Sequence, residues 1–453
     1  MKMLRFAAVG VAAAFALTAC SSGDSGGKST DGASPDGAKT PEAATIKLWL
    51  VGADTPDELR NYLKTEFAKE NPGSQLVIEQ QDWGDLVTKL TTALPDANNT
   101  PDVTELGNTQ SSTFTNVGAF LDISDQYEAL GGDNLLPGFV EAGKVDGKNF
   151  TLPYYFGSRY VFYRKDIWAA AGIKDTPKTL AEFNSDVATI AKANPKNIKN
   201  FSGLWLGGQD WRNGISWIFA NGGDLATVDG GKWTSTFSSE KSEEGLKQLQ
   251  EIWKNASNAP RDATDANTYN HLNDSDSVKD ADGNETKYSL DGATTMAPGW
   301  AHWSLGDLDG DKRVWNDDKF GVFVLPGVDG GAAPVFAGGS NIGISAKSKH
   351  PELAKNLMKI IFSPEYQQML GKNGLGPANK QYVDSLGTDQ FAKALIDSAL
   401  NSKLTPAAPG WAALENSKKL EEFFQKIASG ADIDATAKAF DEVATPILNG
   451  QAS

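Results

Sequence analysis

TIKLWLV (residues 45–51), TPDELRNYLKTEFAKENPG (55–73), QLVIEQ (75–80), DLVTKLTTAL (85–94) and TPDVTEL (100–106) form the stretch whose reading decides the fold. The first piece is apolar and β-branched enough to be a buried strand. Thr55-Pro56-Asp57-Glu58 reads as a capping box with proline at the first helical position, and the helix it opens would bury Leu59, Tyr62, Leu63 and Phe67. Asn71-Pro72-Gly73 stops that helix. A strand, a second helix and a short third strand follow. Strands alternating with helices in this order predict a parallel sheet covered on both faces. Such sheets bind ligands beyond the carboxyl ends of their strands, here Gly52–Asp54, Gln81–Trp83 and Gly107–Gln110.

Downstream, Thr179 and Glu182 predict a capped helix to about Ala193, and 243–254 predicts another with Leu246, Leu249, Ile252 and Trp253 on one face. Residues 267–292 are polar and turn-rich, as in an exposed hairpin. Strands are expected at 321–325 and 341–345, a helix from Pro351, and two closing helices over about 412–428 and 435–448. Upstream, Lys2 and Arg5 precede an apolar run from Phe6 to Leu17 that ends in Leu17-Thr18-Ala19-Cys20. That is a secretory signal of lipobox type, and Cys20, the sole cysteine, is expected to carry lipid. The Ser-, Gly- and Asp-rich segment after it reads as a flexible tether to about Ala44. Some 400 residues remain, more than one core usually serves, so two lobes are expected. The formal charge of −16 with no basic cluster argues against nucleic acid as a partner. No apolar run after Leu17 is long enough to span a bilayer.

Catalytic signatures are scarce. His271, His302 and His350 are scattered, Gly339-Ser340-Asn341 lacks the second glycine of a nucleophile elbow, and no phosphate-binding loop occurs. Asp307–Asp318 and the run from Asp280 resemble calcium loops but lack glycine at position six and glutamate at twelve, so they read as solvated turns. Neither a metal nor a cofactor is expected. The positive signal is aromatic and polar side chains together in loops, which suits sugars: ring C–H faces stack on flat aromatics, and amides, acids and arginine match hydroxyls. Trp83, Asn108-Thr109-Gln110, Gln209-Asp210-Trp211-Arg212-Asn213, Met296–Trp303 and Trp411 supply that mixture. Trp49, Trp168 and Trp253 are expected in the core.

With the lipobox, the segments KLWL (47–50), TPDVTELGNTQ (100–110), LPYYFGSRYVFYRKDIW (152–168), FANGGD (219–224), TTMAPGW (294–300) and GGSNIGISAKSKHPELAKNLMKII (338–361) resemble, in order, an extracellular solute-binding protein of the maltose-binding-protein-like branch of carbohydrate ABC importers. The resemblance covers nearly everything after residue 44. It implies an α/β fold of two lobes, each a mostly parallel sheet flanked by helices, joined by a hinge. The expected lobes are 45–155 plus 338–379, and 156–337 plus 380–453. It also implies a monomer that captures sugar between the lobes and hands it to a transmembrane permease while tethered to the outer membrane face through Cys20. By position it carries over Asp54, Trp83, Asn108, Gln110, Tyr155, Arg159, Asp210, Trp211, Arg212, Trp300, Trp303, Asn341 and Trp411 as ligand-binding residues. Trp300 and Trp411 match stacking positions. Gly157 stands where relatives carry an acid and Leu106 where they carry a cleft tryptophan, so the maltose site itself is not reproduced; Tyr154, Tyr155 and Arg159 could fill the space. The alternatives are a secreted carbohydrate-active enzyme, or the same fold with a peptide or polyamine ligand.

Overall fold

The computed structural model describes residues 41–279, 285–287, 289–310 and 312–451. The signal, Cys20, most of the tether and the tip of the hairpin lie outside the described residues. Among the described residues, no helix is long and apolar enough to cross a membrane. Ala43 onward is one compact unit.

Strands β1 (Thr45–Val51), β2 (Gln75–Gln81) and β3 (Val103–Gly107) lie parallel with β1 in the middle, as their order predicts. The helices Asp57–Glu70 and Leu86–Ala93 connect them, the first burying Leu59, Leu63 and Phe67 at helical spacing. Beyond β3 the direction changes. The sheet continues through β4 (Thr151–Arg164), β5 (Thr294–Pro298), β6 (Phe320–Phe323), β7 (Ala337–Ile344) and β8 (Gly376–Pro377), in the order β2-β1-β3-β7-β4-β5, with β6 and β8 also on β4. Every pairing made by β4 and β7 is antiparallel. The expected mostly parallel sheets are therefore one mixed sheet. Strand direction beyond β3 is set by where the chain returns, which hydrophobic pattern does not encode.

β4 carries the architecture. Its first part, Thr151–Ser158, pairs with β7, while Arg159–Arg164 pairs with β5 and β6. The backbones close on each other at the changeover. A Cβ on Gly338 would lie 2.3 Å from the Gly157 carbonyl oxygen, and Gly339 has φ +137°, so side chains are excluded at both positions. Apolar clusters form on either side. One joins Ile46, Leu48 and Leu50 of β1 to Leu353, Leu357 and Ile361 of helix Pro351–Ile361; another joins Trp168, Phe183, Trp217 and Trp253 to Phe424 and Trp411.

Three local expectations need correction. Thr55 does not cap its helix; its hydroxyl turns inward to the Tyr154 hydroxyl at 3.0 Å, and Pro56 sits at the cap. The chain closes on three helices, Trp411–Asn416, Lys419–Ala428 and Ile433–Leu448, because Lys418 takes a left-handed conformation (φ +61°) that no continuous helix allows. Trp411 starts the first of them rather than lying in a loop. Thr179 behaves as read: its hydroxyl accepts the Glu182 N–H, and Glu182 accepts the Lys178 N–H at 2.7 Å. The expected hairpin pairs Ser277–Lys279 with Glu285–Lys287.

Candidate functional site

The ends of β1 and β2, the changeover in β4, the turn after β5 and the start of β7 enclose a cleft of about 390 Å³. Asp54 stands at its rim on the loop after β1. Its Oδ2 accepts two bonds, from the Trp83 indole N–H at 2.9 Å and the Tyr155 hydroxyl at 3.0 Å, while Oδ1 has no partner among the described residues. This loop needs glycine at 52: φ is +59°, and a Cβ would come within 3.0 Å of the Trp83 indole nitrogen. Trp300 and Trp303 project from the turn after β5. Trp83, Trp300 and Trp303 keep 37, 44 and 57% of their surface exposed, all on one cleft. Grouped exposed indoles are a large apolar surface that folding leaves uncovered, as a binding site requires. Tyr269 braces Trp300 edge-on at 5.5 Å.

At the inner end Arg159 is buried, paired to Asp265 at 2.6 Å and lying 5.9 Å over the Phe336 ring. Burial works against ionisation of Asp265, but the Arg159 and Arg212 guanidiniums hold its carboxyl below the usual range. Asp210 goes the other way. Burial, and then the charge of Asp265, push its carboxyl up. Beneath the floor Glu105 of β3 is fully buried; its Oε2 accepts the Val51 N–H at 2.8 Å and its Oε1 has no partner. Burial pushes this carboxyl up to about 8, so it is neutral at pH 7. Burial, and then the charge of Glu105, raise the Tyr155 hydroxyl well above its ordinary range.

The cleft thus gathers Asp54, Trp83, Tyr155, Arg159, Trp300 and Trp303 from the sequence-predicted residues. The others lie elsewhere, each spent on structure. Asn108 is buried and donates to the Ala337 carbonyl at 2.7 Å. Gln110 folds back to accept the Gly107 N–H at 3.3 Å. Asn341 donates to Phe139 and Thr151 within the core. Asp210 caps helix Trp211–Ala220 through Asn213. Arg212 bonds Glu415 at 2.5 Å, and Glu415 also accepts the Thr109 hydroxyl. Trp211 and Trp411 pack edge to face at 6.2 Å, both buried. Trp411 has no exposed surface, because Gly410 is pressed onto the Ile447 carbonyl of the last helix and carries the indole inward. Tyr154 is likewise buried, bonded to Tyr366 at 2.6 Å. Nothing stands within 4 Å of a Cβ built on Gly157, so the space of an acid there stays open.

Sequence reasoning missed Phe336, Asp265 and Gly374-Leu375. Phe336 stands between Pro334 and the Gly338-Gly339 pair, and the rule that singled out Trp300, an aromatic flanked by Pro or Gly, would have found it if extended beyond tryptophan. Asp265 carries no local signal; only the fold brings it to Arg159. Asp307, in the acidic turn, is occupied by Lys319 and Asn316. Among the described residues, no group of three or more His, Cys, Asp or Glu is placed to hold a metal ion.

Residues 63–396, most of the chain, match the family described as bacterial extracellular solute-binding protein. The chain belongs to that family. Family membership makes it an extracytoplasmic solute-binding protein. The diacetylchitobiose binding protein DasA of Streptomyces coelicolor is 31% identical over 422 residues, covering 92% of this chain and 91% of that one. Among solved structures, the sugar-binding protein MalE of Xanthomonas citri superposes with a TM-score of 0.72 at 21% identity, over 90% of this chain and 98% of that one. The GacH receptor of Streptomyces glaucescens, solved unliganded and with acarbose, gives 0.68 at 19% identity over 91% and 100%. The fold is accordingly the two-lobed α/β fold of these binding proteins.

Proposed function

We propose that this protein captures a sugar in the Trp83–Trp300–Trp303 cleft and delivers it to the membrane permease of an ABC importer. The observation that carries the reading is the convergence of three exposed indoles with one carboxylate and one guanidinium on a single cleft. Indoles cover the apolar faces of sugar rings; Asp54 Oδ1 accepts from hydroxyls and Arg159 supplies donors. A polyamine would find one carboxylate and an opposing cation, a poor match. DasA, by its name, binds diacetylchitobiose, and the same class of short, acetamido-bearing disaccharide is the first ligand to try here.

We place the lobe boundaries at the β4 changeover, 45–155 plus 338–379 against 156–337 plus 380–453. Sugar touching both walls favours the closed arrangement, and the permease reads that form. Titration calorimetry against diacetylchitobiose, maltose and acarbose tests the reading. Saturable binding of at least one is expected, with thermal stabilisation of about 2.7 kcal/mol at a hundredfold excess over Kd. Failure of sugars to bind, with the protein folded, would remove it.

We further propose lipid anchoring through Cys20, supported by Leu17-Thr18-Ala19 before it. Two acyl chains give stable attachment where one does not. Cys20→Ser is expected to release the protein from the membrane fraction; a variant that sediments with membranes like the parent would show another anchor.

A further inference from the structure

Trp303 does not close the cleft. On its far side a second chamber of about 390 Å³ opens, and the two share Pro56, Gly299, Trp303, Gly374 and Leu395 along their common boundary. Trp303 forms the neck between them, its indole passing close to Gly374, where φ is +77° and a Cβ would stand 3.2 Å from the ring. The chambers differ in chemistry. The first is walled by aromatic faces. The second presents Lys372, Asn373, His302 and Asp389.

Each of these keeps an unengaged polar atom. Among the described residues the Lys372 ammonium has no acceptor, and Asn373 uses only its amide nitrogen, on the Met369 carbonyl. Asp389 spends Oδ1 capping helix Gln390–Leu400, accepting from the Phe391 and Ala392 N–H groups, and leaves Oδ2 over. His302 Nδ1–H donates to the Gly299 carbonyl at 2.7 Å, which leaves Nε2 as an acceptor, and the ring is held flat against Phe391 at 4.4 Å. Burial lowers the His302 pKa, keeping the ring neutral and Nε2 unprotonated. One cationic donor and several acceptors around a chamber continuous with an aromatic groove suit the hydroxyl rim of one more pyranose ring.

We propose that the ligand is an oligosaccharide of three or more rings that runs past Trp303, its last ring read by Lys372, Asn373, His302 and Asp389. The inference rests on the sugar reading of the first chamber, and its test separates the two. Titration calorimetry would compare chains of two to five rings, in the β-1,4-linked N-acetylglucosamine and the α-1,4-linked glucose series, on the parent protein and on a Lys372→Met/Asp389→Asn double variant. Asparagine keeps the helix cap, and the melting temperature checks folding. In whichever series binds, affinity is expected to rise tenfold or more from two rings to the longer chains. The double variant should lose most of that rise while binding the disaccharide within twofold of the parent. Equal affinity for all lengths, or a rise that survives in the variant, overturns the second chamber and leaves the first intact. If no length of either series binds, the sugar reading fails, and the extension with it.

Discussion

Trp411→Ala is expected to lower the unfolding free energy by about 3–5 kcal/mol, as for a fully buried tryptophan, and to leave sugar affinity of the folded protein within about twofold. Trp300→Ala is expected to do the reverse: a loss of about 2 kcal/mol or more in binding, as for an aromatic anchor in a pocket, with little loss of stability. The two residues look alike in sequence, each a Gly-Trp following a proline. The fold separates them. Trp411 is sealed against Trp211 under the last helix, whereas Trp300 keeps 44% of its surface exposed in the cleft, with Tyr269 at its edge. Urea denaturation alongside calorimetry of the two variants reads both quantities. If Trp411→Ala lost affinity and kept its stability, the buried indole would have to be part of a site that opens to ligand.

The second large effect belongs to Glu105. In the unfolded chain this carboxyl ionises near 4.5, and in the fold burial holds its proton until about 8. Between those values the folded protein carries one proton more than the unfolded chain, so stability falls as pH rises through that window. The slope approaches 1.4 kcal/mol per pH unit, which amounts to about 2.5 kcal/mol between pH 5 and 7. Glu105→Gln keeps an acceptor for the Val51 N–H and has no proton to lose. It should be the more stable protein at pH 8, and its stability should decline less between pH 5 and 8 than the parent's. Other groups that titrate there contribute equally to both proteins and cancel. Parallel pH profiles for parent and variant would mean that Glu105 is ionised within the fold.

What the sequence made legible was local. β1, β2, β3 and their helices follow from apolar spacing and breakers, and the loops after β1 and β2 do reach the cleft through Asp54 and Trp83. Tyr155, Arg159, Trp300 and Trp303 came from composition read with the resemblance. The expected site residues that the cleft does not gather share a physical feature. Asn108, Gln110, Asp210, Arg212 and Asn341 are polar groups outside the cleft lining that bond to the protein's own backbone, side chains and ion pairs. A buried polar group must find a partner, and sequence does not reveal whether that partner is the protein or a ligand. Thr55 shows the same physics in miniature: a capping residue by pattern, drawn inward by Tyr154, which arrives from a strand a hundred residues on.

The sheet order has a consequence for the birth of the molecule. β3 and β4 do not pair with each other, since β7 lies between them and bonds to both. Both neighbours are synthesised long before it. At ordinary elongation rates of about 5–20 residues per second, on the order of 10–35 s pass between completion of β4 and of β7. During that interval the first three strands can pair, but their sheet ends in a raw edge at β3, with β4 waiting for the same missing partner. Unpaired edges invite pairing with other chains. The nascent protein therefore has a built-in delay: its first half cannot finish folding ahead of its second, and whatever shields the chain in transit must do so until Ile344 has been made.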